Sequence, residues 1–193
     1  MRKRAGAIFL DRDGTIIRQV ESITKHAQVR LLPHSADAIR LFNKIGVPIF
    51  IVTNQPVVAR GWITEAELKK LHDDLCDRLR RRGARITAVY YCPHHPEQGF
   101  ANVPSAYRID CPCRKPKPGM IRQAAQELPI DLASSYMIGD RDVDVQTGIN
   151  AGLRTILVRA GEAGKAGSGA CRPDGVSDDL QEAVKALLGN LER

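Results

Sequence analysis

Two aspartates separated by one residue, Asp11 and Asp13, stand where an apolar segment, Ala7 to Leu10, gives way to Gly14-Thr15. In extended chain, positions two apart face the same way, so both carboxylates can share a cleft at the carboxyl edge of a sheet. Carboxylates that close repel each other unless a cation or a shared proton lies between them. A hard divalent cation with oxygen ligands, typically Mg²⁺, resolves that conflict. One carboxylate can then attack a phosphorus atom while the other handles the proton. The plainer alternative is a strand followed by an acidic glycine turn.

Three further polar clusters weigh against the plainer alternative. Thr53-Asn54-Gln55 closes an apolar run over 48–52, and the stretch from Gly139-Asp140-Arg141 to Asp144 closes another over 136–138. Between them lies Arg114-Lys115-Pro116-Lys117-Pro118-Gly119. Together they suit phosphoryl transfer, which relies on positioning and charge neutralisation. The first cluster offers a nucleophile and a proton donor, the second a hydroxyl, the third a cationic clamp and the fourth a metal carboxylate.

The elements that must position these groups alternate along the chain. Apolar runs predict strands over 5–10, 48–52, 86–91, 136–138 and 155–158. Helical spacing predicts helices over 35–44, 64–82, 118–128, 143–151 and 179–191, the second opened by the capping box Thr64-Glu65-Ala66-Glu67. Such alternation implies a doubly wound α/β fold with a mainly parallel, Rossmann-like sheet, whose ligands bind beyond the carboxyl ends of the strands. Two stretches break the rhythm. Residues 93–118 are rich in Pro, His and Cys, and 161–175 are glycine-rich, expected as a mobile loop. Gly164-Lys165 is no phosphate loop, because the glycine spacing is wrong and Ala166 follows the lysine.

A length of 193 residues fits one domain over 1–193, with 43 % hydrophobic and 26 % charged residues as in ordinary globular proteins. A formal charge of +7 points to anionic partners, while 5 % aromatic content disfavours a reader that stacks nucleic-acid bases. Five cysteines with a Cys-Pro-Cys pair argue against a secreted disulfide framework. The basic start is followed by an apolar stretch too short for a leader, and no segment is long enough to span a membrane. The expectation is a cytoplasmic monomer.

Asp11-Arg12-Asp13-Gly14-Thr15, Thr53-Asn54, Lys115-Pro116-Lys117-Pro118 and Gly139-Asp140 through Asp144 resemble, in order, the four motifs of the haloacid dehalogenase superfamily of phosphatases. Within it, the chain is similar to the small phosphatases with a minimal cap that act on heptose bisphosphate and histidinol phosphate. The resemblance implies a Mg²⁺-dependent phosphomonoesterase. Asp11 would be the nucleophile that forms an aspartyl phosphate, and Asp13 the acid that protonates the leaving alcohol and then activates water. Thr53 and Lys115 would hold phosphoryl oxygens. Asp140 would bind Mg²⁺ with Asp11 and the main-chain carbonyl of Asp13, supported by Asp144. Asn54, Arg114 and Arg141 would contact substrate.

That group carries a zinc loop, matched over 92–113 by Cys92-Pro93-His94 and Cys111-Pro112-Cys113. Three thiols and an imidazole make a closed tetrahedral set, hence a structural Zn²⁺. The pairs sit one residue apart, closer than the usual two to four. A Pro-rich loop with incidental cysteines is the alternative, and His95 competes with His94, which the resemblance selects. The loop leads into Arg114 and Lys115, so its task would be to aim them.

The chain departs from the group at 17–22, at Pro33-His34 and at Pro56-Val57, while Ala59-Arg60-Gly61 agrees. None of these touches the phosphoryl chemistry, and all lie near the place of the leaving group. The expected substrate is a small sugar bisphosphate, D-glycero-D-manno-heptose 1,7-bisphosphate, used for surface polysaccharide precursors. Histidinol phosphate and a nucleic-acid 3′-phosphate are the alternatives within enzymes. A zinc-stabilised binding protein without catalysis is the alternative outside them. Arg78, Arg80, Arg81, Arg82 and Arg85 read as a solvated helix end. Trp62 reads as a packing residue, with substrate stacking as the alternative, Cys76 as buried, and Cys171 has no evident partner.

Overall fold

The computed structural model describes residues 5–96, 105–160 and 171–191. Among these residues six parallel strands form one sheet: β1 (Ile8–Leu10), β2 (Ile49–Asn54), β3 (Ala88–Cys92), β4 (Tyr136–Gly139), β5 (Arg154–Val158) and β6 (Gly175–Ser177), ordered β3-β2-β1-β4-β5-β6. The helices are α1 (Ser35–Lys44), α2 (Glu65–Arg80), α3 (Gly119–Glu127), α4 (Asp142–Ala151) and α5 (Leu180–Leu191). The strand order reverses between β1 and β4, which makes the crevice outside their carboxyl ends the natural place for a ligand.

Alternation along the strands divides the core between the two faces of the sheet. Ile8 and Leu10 of β1 stand in register with Ile49 and Ile51 of β2, and pack with Ile39 and Phe42 of α1, Leu71 and Leu75 of α2 and Val184 of α5. Phe9 and Phe50 point the other way, their rings stacked at 5.1 Å, toward Met120, Ile121 and Ala124 of α3. Strands buried on both faces read as continuous apolar runs, which is why they stood out in the sequence. The capping box of α2 forms as expected: Glu67 N donates to Thr64 Oγ1 at 3.2 Å and Thr64 N to Glu67 Oε2 at 2.8 Å.

Several expectations need correction. β1 stops at Leu10 as expected, but the extended alternation used to place Asp11 beside Asp13 does not continue past it. The chain turns instead, with Ile16 N and Ile17 N both donating to the Arg12 carbonyl and Gly14 N to the Ile17 carbonyl. Gly14 has φ +80°, and a Cβ there would stand 2.2 Å from Asp140 Oδ2, so only glycine fits. The glycine-rich loop over 161–175 ends earlier than expected, since Gly175 opens β6. The expected mobility over 161–170 lies outside the described residues. Trp62 is 45 % exposed rather than buried, with the Arg60 guanidinium 5.1 Å from its ring centroid. Cys76 is only partly buried, and Cys171 donates to Gln146 Oε1 at 2.9 Å. Arg78 and Arg80 pair with Asp74 and Asp77 on the surface of α2, as a solvated helix end should.

Candidate active site

The turn after β1 and the N-terminus of α4 after β4 bring three buried carboxylates together. The side chains of Asp11, Asp140 and Asp144 have ligand atoms within 4.8 Å of one another. A Cβ at Gly139 would lie 2.4 Å from Asp144, so this glycine lets Asp144 fold back against the end of β4. Asp144 Oδ2 accepts from Arg141 N at 3.1 Å, a carboxylate capping the first turn of its own helix.

The Lys115 ammonium lies against two of the three carboxylates. Lys115 Nζ donates to Asp11 Oδ1 at 2.7 Å and to Asp144 Oδ1 at 2.6 Å, with the lysine 4 % exposed. Burial would pull Lys115 down, but the two carboxylates overcome it and hold its pKa above the ordinary value. The ammonium does not bring Asp11 or Asp144 back to the ordinary carboxylate range. Burial raises Asp11 to about 7; Lys115 opposes that shift, while Asp144 and Asp13 add to it. Asp144 is likewise pushed up by burial, with Asp140 contributing. Buried oxygen donors short of positive charge are the donor chemistry that a hard divalent cation such as Mg²⁺ accepts.

Asn54 serves Lys115 from the end of β2. Its Nδ2 donates to the Lys115 carbonyl at 3.1 Å and its Oδ1 accepts from Lys115 N at 3.0 Å, so the amide holds the lysine's backbone. Thr53 is 1 % exposed, and its hydroxyl accepts from Gln55 Nε2 at 2.8 Å. That leaves the hydroxyl proton free to donate. A cavity of about 280 Å³ opens over these groups, lined by Asp11, Asp13, Thr53, Asn54, Lys115 and Arg141, with Arg60, His95 and Arg114 on its wall.

Sequence reasoning missed the surroundings of Asp13. Arg12, 2 % exposed, donates from Nη2 to Asp13 Oδ2 at 2.9 Å and from Nε at 3.1 Å. Gln55 Nε2 donates to the same oxygen at 2.9 Å. The only available signal was an arginine flanked by two aspartates. His72, buried in α2 with Nε2 3.0 Å from Arg12 Nη1, carried no signal beyond its place on an apolar helix face.

A second cluster lies at the end of β3. Cys92, His94, Cys111 and Cys113 offer four ligand atoms within 4.8 Å of one another. His94 Nδ1 stands 3.8 Å from Cys92 Sγ and 3.5 Å from Cys113 Sγ, whereas His95 faces the cavity. Cys111 and Cys113 bring their sulfurs to 2.6 Å and are not disulfide-bonded. The hydrogen bond from Cys113, with further help from His94, brings Cys92 down to about 6 against its burial. Three sulfurs and one imidazole nitrogen fit a tetrahedral zinc ion. The cluster is tied to the cavity wall, since Arg114 Nη1 donates to the His94 carbonyl at 3.0 Å and Arg114 N to the Cys111 carbonyl at 3.1 Å.

The chain is similar to known proteins in sequence and in fold. A family model described as HAD-hydrolase-like matches residues 112–183. A D-glycero-beta-D-manno-heptose-1,7-bisphosphate 7-phosphatase of Yersinia pestis is 37 % identical over 188 residues, 97 % of each chain. The enzyme of that name from Escherichia coli K12 is 39 % identical over 163 residues, 84 % of this chain and 83 % of its own. The crystal structure of a D,D-heptose 1,7-bisphosphate phosphatase from B. bronchiseptica, complexed with magnesium and phosphate, superposes with a TM-score of 0.84 at 31 % identity, covering 96 % of this chain and 99 % of that one.

Proposed function

The chain belongs to the haloacid dehalogenase-like phosphatases, and from that membership we propose that it removes one phosphate from a sugar bisphosphate, D-glycero-D-manno-heptose 1,7-bisphosphate, with Mg²⁺. The observation that carries this is the Lys115 ammonium, bonded to Asp11 at 2.7 Å in a cavity that Asp13 and Thr53 also line. An Asp11 oxygen attacks phosphorus and the bond to the leaving oxygen breaks. Asp13 gives that oxygen its proton. The resulting aspartyl phosphate is hydrolysed by a water whose proton returns to Asp13. Lys115 and the Thr53 hydroxyl hold the phosphoryl oxygens.

Asp11, Asp140 and the main-chain carbonyl of Asp13 would hold Mg²⁺. Bound there, the ion neutralises charge on the phosphoryl group and on the carboxylates. Asp144, whose two oxygens already bond Lys115 and Arg141 N, supports this shell from behind. A structural Zn²⁺ on Cys92, His94, Cys111 and Cys113 would fix the loop that presents Arg114. The second phosphate suits the cavity wall, where Arg60 and Arg114 stand close. Burial, and then the Arg60 charge, hold Arg114 below its ordinary pKa, a crowding that an anion between them relieves. Arg141 faces the same space.

Residues 1–193 form one phosphatase domain in this proposal, acting as a monomer in the cytoplasm. Among the described residues no helix is long and apolar enough to cross a membrane. Phosphorus NMR of heptose 1,7-bisphosphate with enzyme and Mg²⁺ tests the assignment. Loss of the 7-phosphate signal is expected. Failure to hydrolyse this or any other phosphomonoester would overturn it.

A further inference from the structure

The buried network around Asp13 has no part in the chemistry described so far. Asp13 Oδ2 accepts from Arg12 Nε at 3.1 Å, from Arg12 Nη2 at 2.9 Å and from Gln55 Nε2 at 2.9 Å. Among the described residues, Asp13 Oδ1 has one longer contact, with Arg12 Nη2 at 3.2 Å. The two oxygens of this carboxyl are therefore inequivalent. One is saturated with donors, and the other keeps its capacity for a proton.

Arg12 is itself held on three sides. Its Nη2 also donates to Gln55 Oε1 at 2.8 Å, and its Nη1 stands 3.0 Å from His72 Nε2. Burial, then the charge of Arg12, lowers His72 to about 3, so this ring is neutral and its Nε2 accepts from the guanidinium. An arginine that is 2 % exposed is costly to bury unless its fork is used, and here Nε and Nη2 both donate to Asp13 Oδ2.

We propose that Arg12, braced by Gln55 and His72, is a positioning residue that grips Asp13 by Oδ2 and presents Oδ1 to the leaving oxygen of the substrate. The proposal rests on Asp13 being the proton donor. In that step an Asp11 oxygen forms its bond to phosphorus, and the electron pair of the breaking P–O bond goes to the leaving oxygen. That oxygen takes the proton from Asp13 Oδ1. Asp13 ends as the carboxylate that the Arg12 fork fits. A general acid is worth roughly 10²- to 10⁴-fold, and a misplacement of about 1 Å can cost on the order of 10²-fold.

The test compares two substrates in the same protein. Heptose 1,7-bisphosphate expels an alkoxide that needs a proton, whereas p-nitrophenyl phosphate expels a stabilised phenolate that does not. kcat/KM covers steps only up to formation of the aspartyl phosphate, so the later role of Asp13 with water does not enter. The ratio of the two kcat/KM values is also independent of how much of a variant is folded. In Arg12→Met the ratio of alkyl to aryl kcat/KM should fall about 30-fold, and in Gln55→Met in the same direction by about 3- to 10-fold. Asp13→Asn should lower it by at least as much as Arg12→Met. An unchanged ratio in Arg12→Met and Gln55→Met, with a lowered one in Asp13→Asn, overturns the proposal and leaves the phosphatase reading standing. An unchanged ratio in Asp13→Asn removes the proton donor and the proposal with it.

Discussion

Asp11 is predicted to weaken the fold it serves. Burial first, then the Asp144 and Asp13 charges, carry its pKa from 3.8 to about 7 in spite of Lys115. The folded protein therefore binds a proton there that the unfolded chain has lost, and stability falls as pH rises from 3.8 toward 7. Above that range the ionised carboxylate costs about 4 kcal/mol relative to a neutral side chain, and at pH 5 only about 1–2 kcal/mol. Asp11→Asn keeps the shape and cannot ionise. In magnesium-free buffer the variant should exceed the wild type by about 4 kcal/mol at pH 8, and by much less at pH 5. Urea unfolding followed by circular dichroism reads both values. Added Mg²⁺ should stabilise the wild type and close the gap at pH 8. A variant less stable than wild type at pH 8, or a gain that does not change with pH, would refute the reasoning.

Other outcomes follow from the same geometry. His72, whose pKa is lowered to about 3, takes up its proton far more readily once unfolded. Stability should thus fall as pH drops below about 6.5, by about 2 kcal/mol at pH 5, and His72→Gln should remove that acid sensitivity in unfolding curves. Elemental analysis should find about one zinc per chain, and Cys111→Ser should lose the metal and lower turnover through Arg114 and Lys115. Arg114→Ala should lower kcat/KM for the heptose bisphosphate by roughly 10- to 100-fold and affect p-nitrophenyl phosphate much less. Equal losses on both substrates would place Arg114 in the phosphoryl clamp instead.

The strands and helices were legible because each is buried on a face that its apolar period announces. Strand β6 was not, since Gly175, Val176 and Ser177 are too few to show a period and Val176 is exposed. The pairing of Asp11 with Asp13 was found through strand alternation, yet the structure achieves it through a turn that depends on Gly14. Asn54, expected as a substrate contact, does line the cavity, but its hold on Lys115 was not legible. Its amide is taken up by the Lys115 backbone, 61 residues away, and pattern reading has no access to a partner that distant. Arg12 and His72 were invisible for the same reason: their meaning lies in contacts with each other, 60 residues apart, and with Asp13. The cysteine pairs were legible because zinc chemistry demands particular residue types, whereas their link to Arg114 runs through the His94 main-chain carbonyl, which no side-chain pattern reports.

The central claim is that Asp11 carries the phosphoryl group. Enzyme mixed with heptose 1,7-bisphosphate and Mg²⁺, quenched in acid during turnover and digested, should yield a phosphorylated peptide whose label maps by mass spectrometry to Asp11. The label should be absent in Asp11→Asn. Rapid turnover with the label on another residue, or undiminished turnover in Asp11→Asn, would contradict the account.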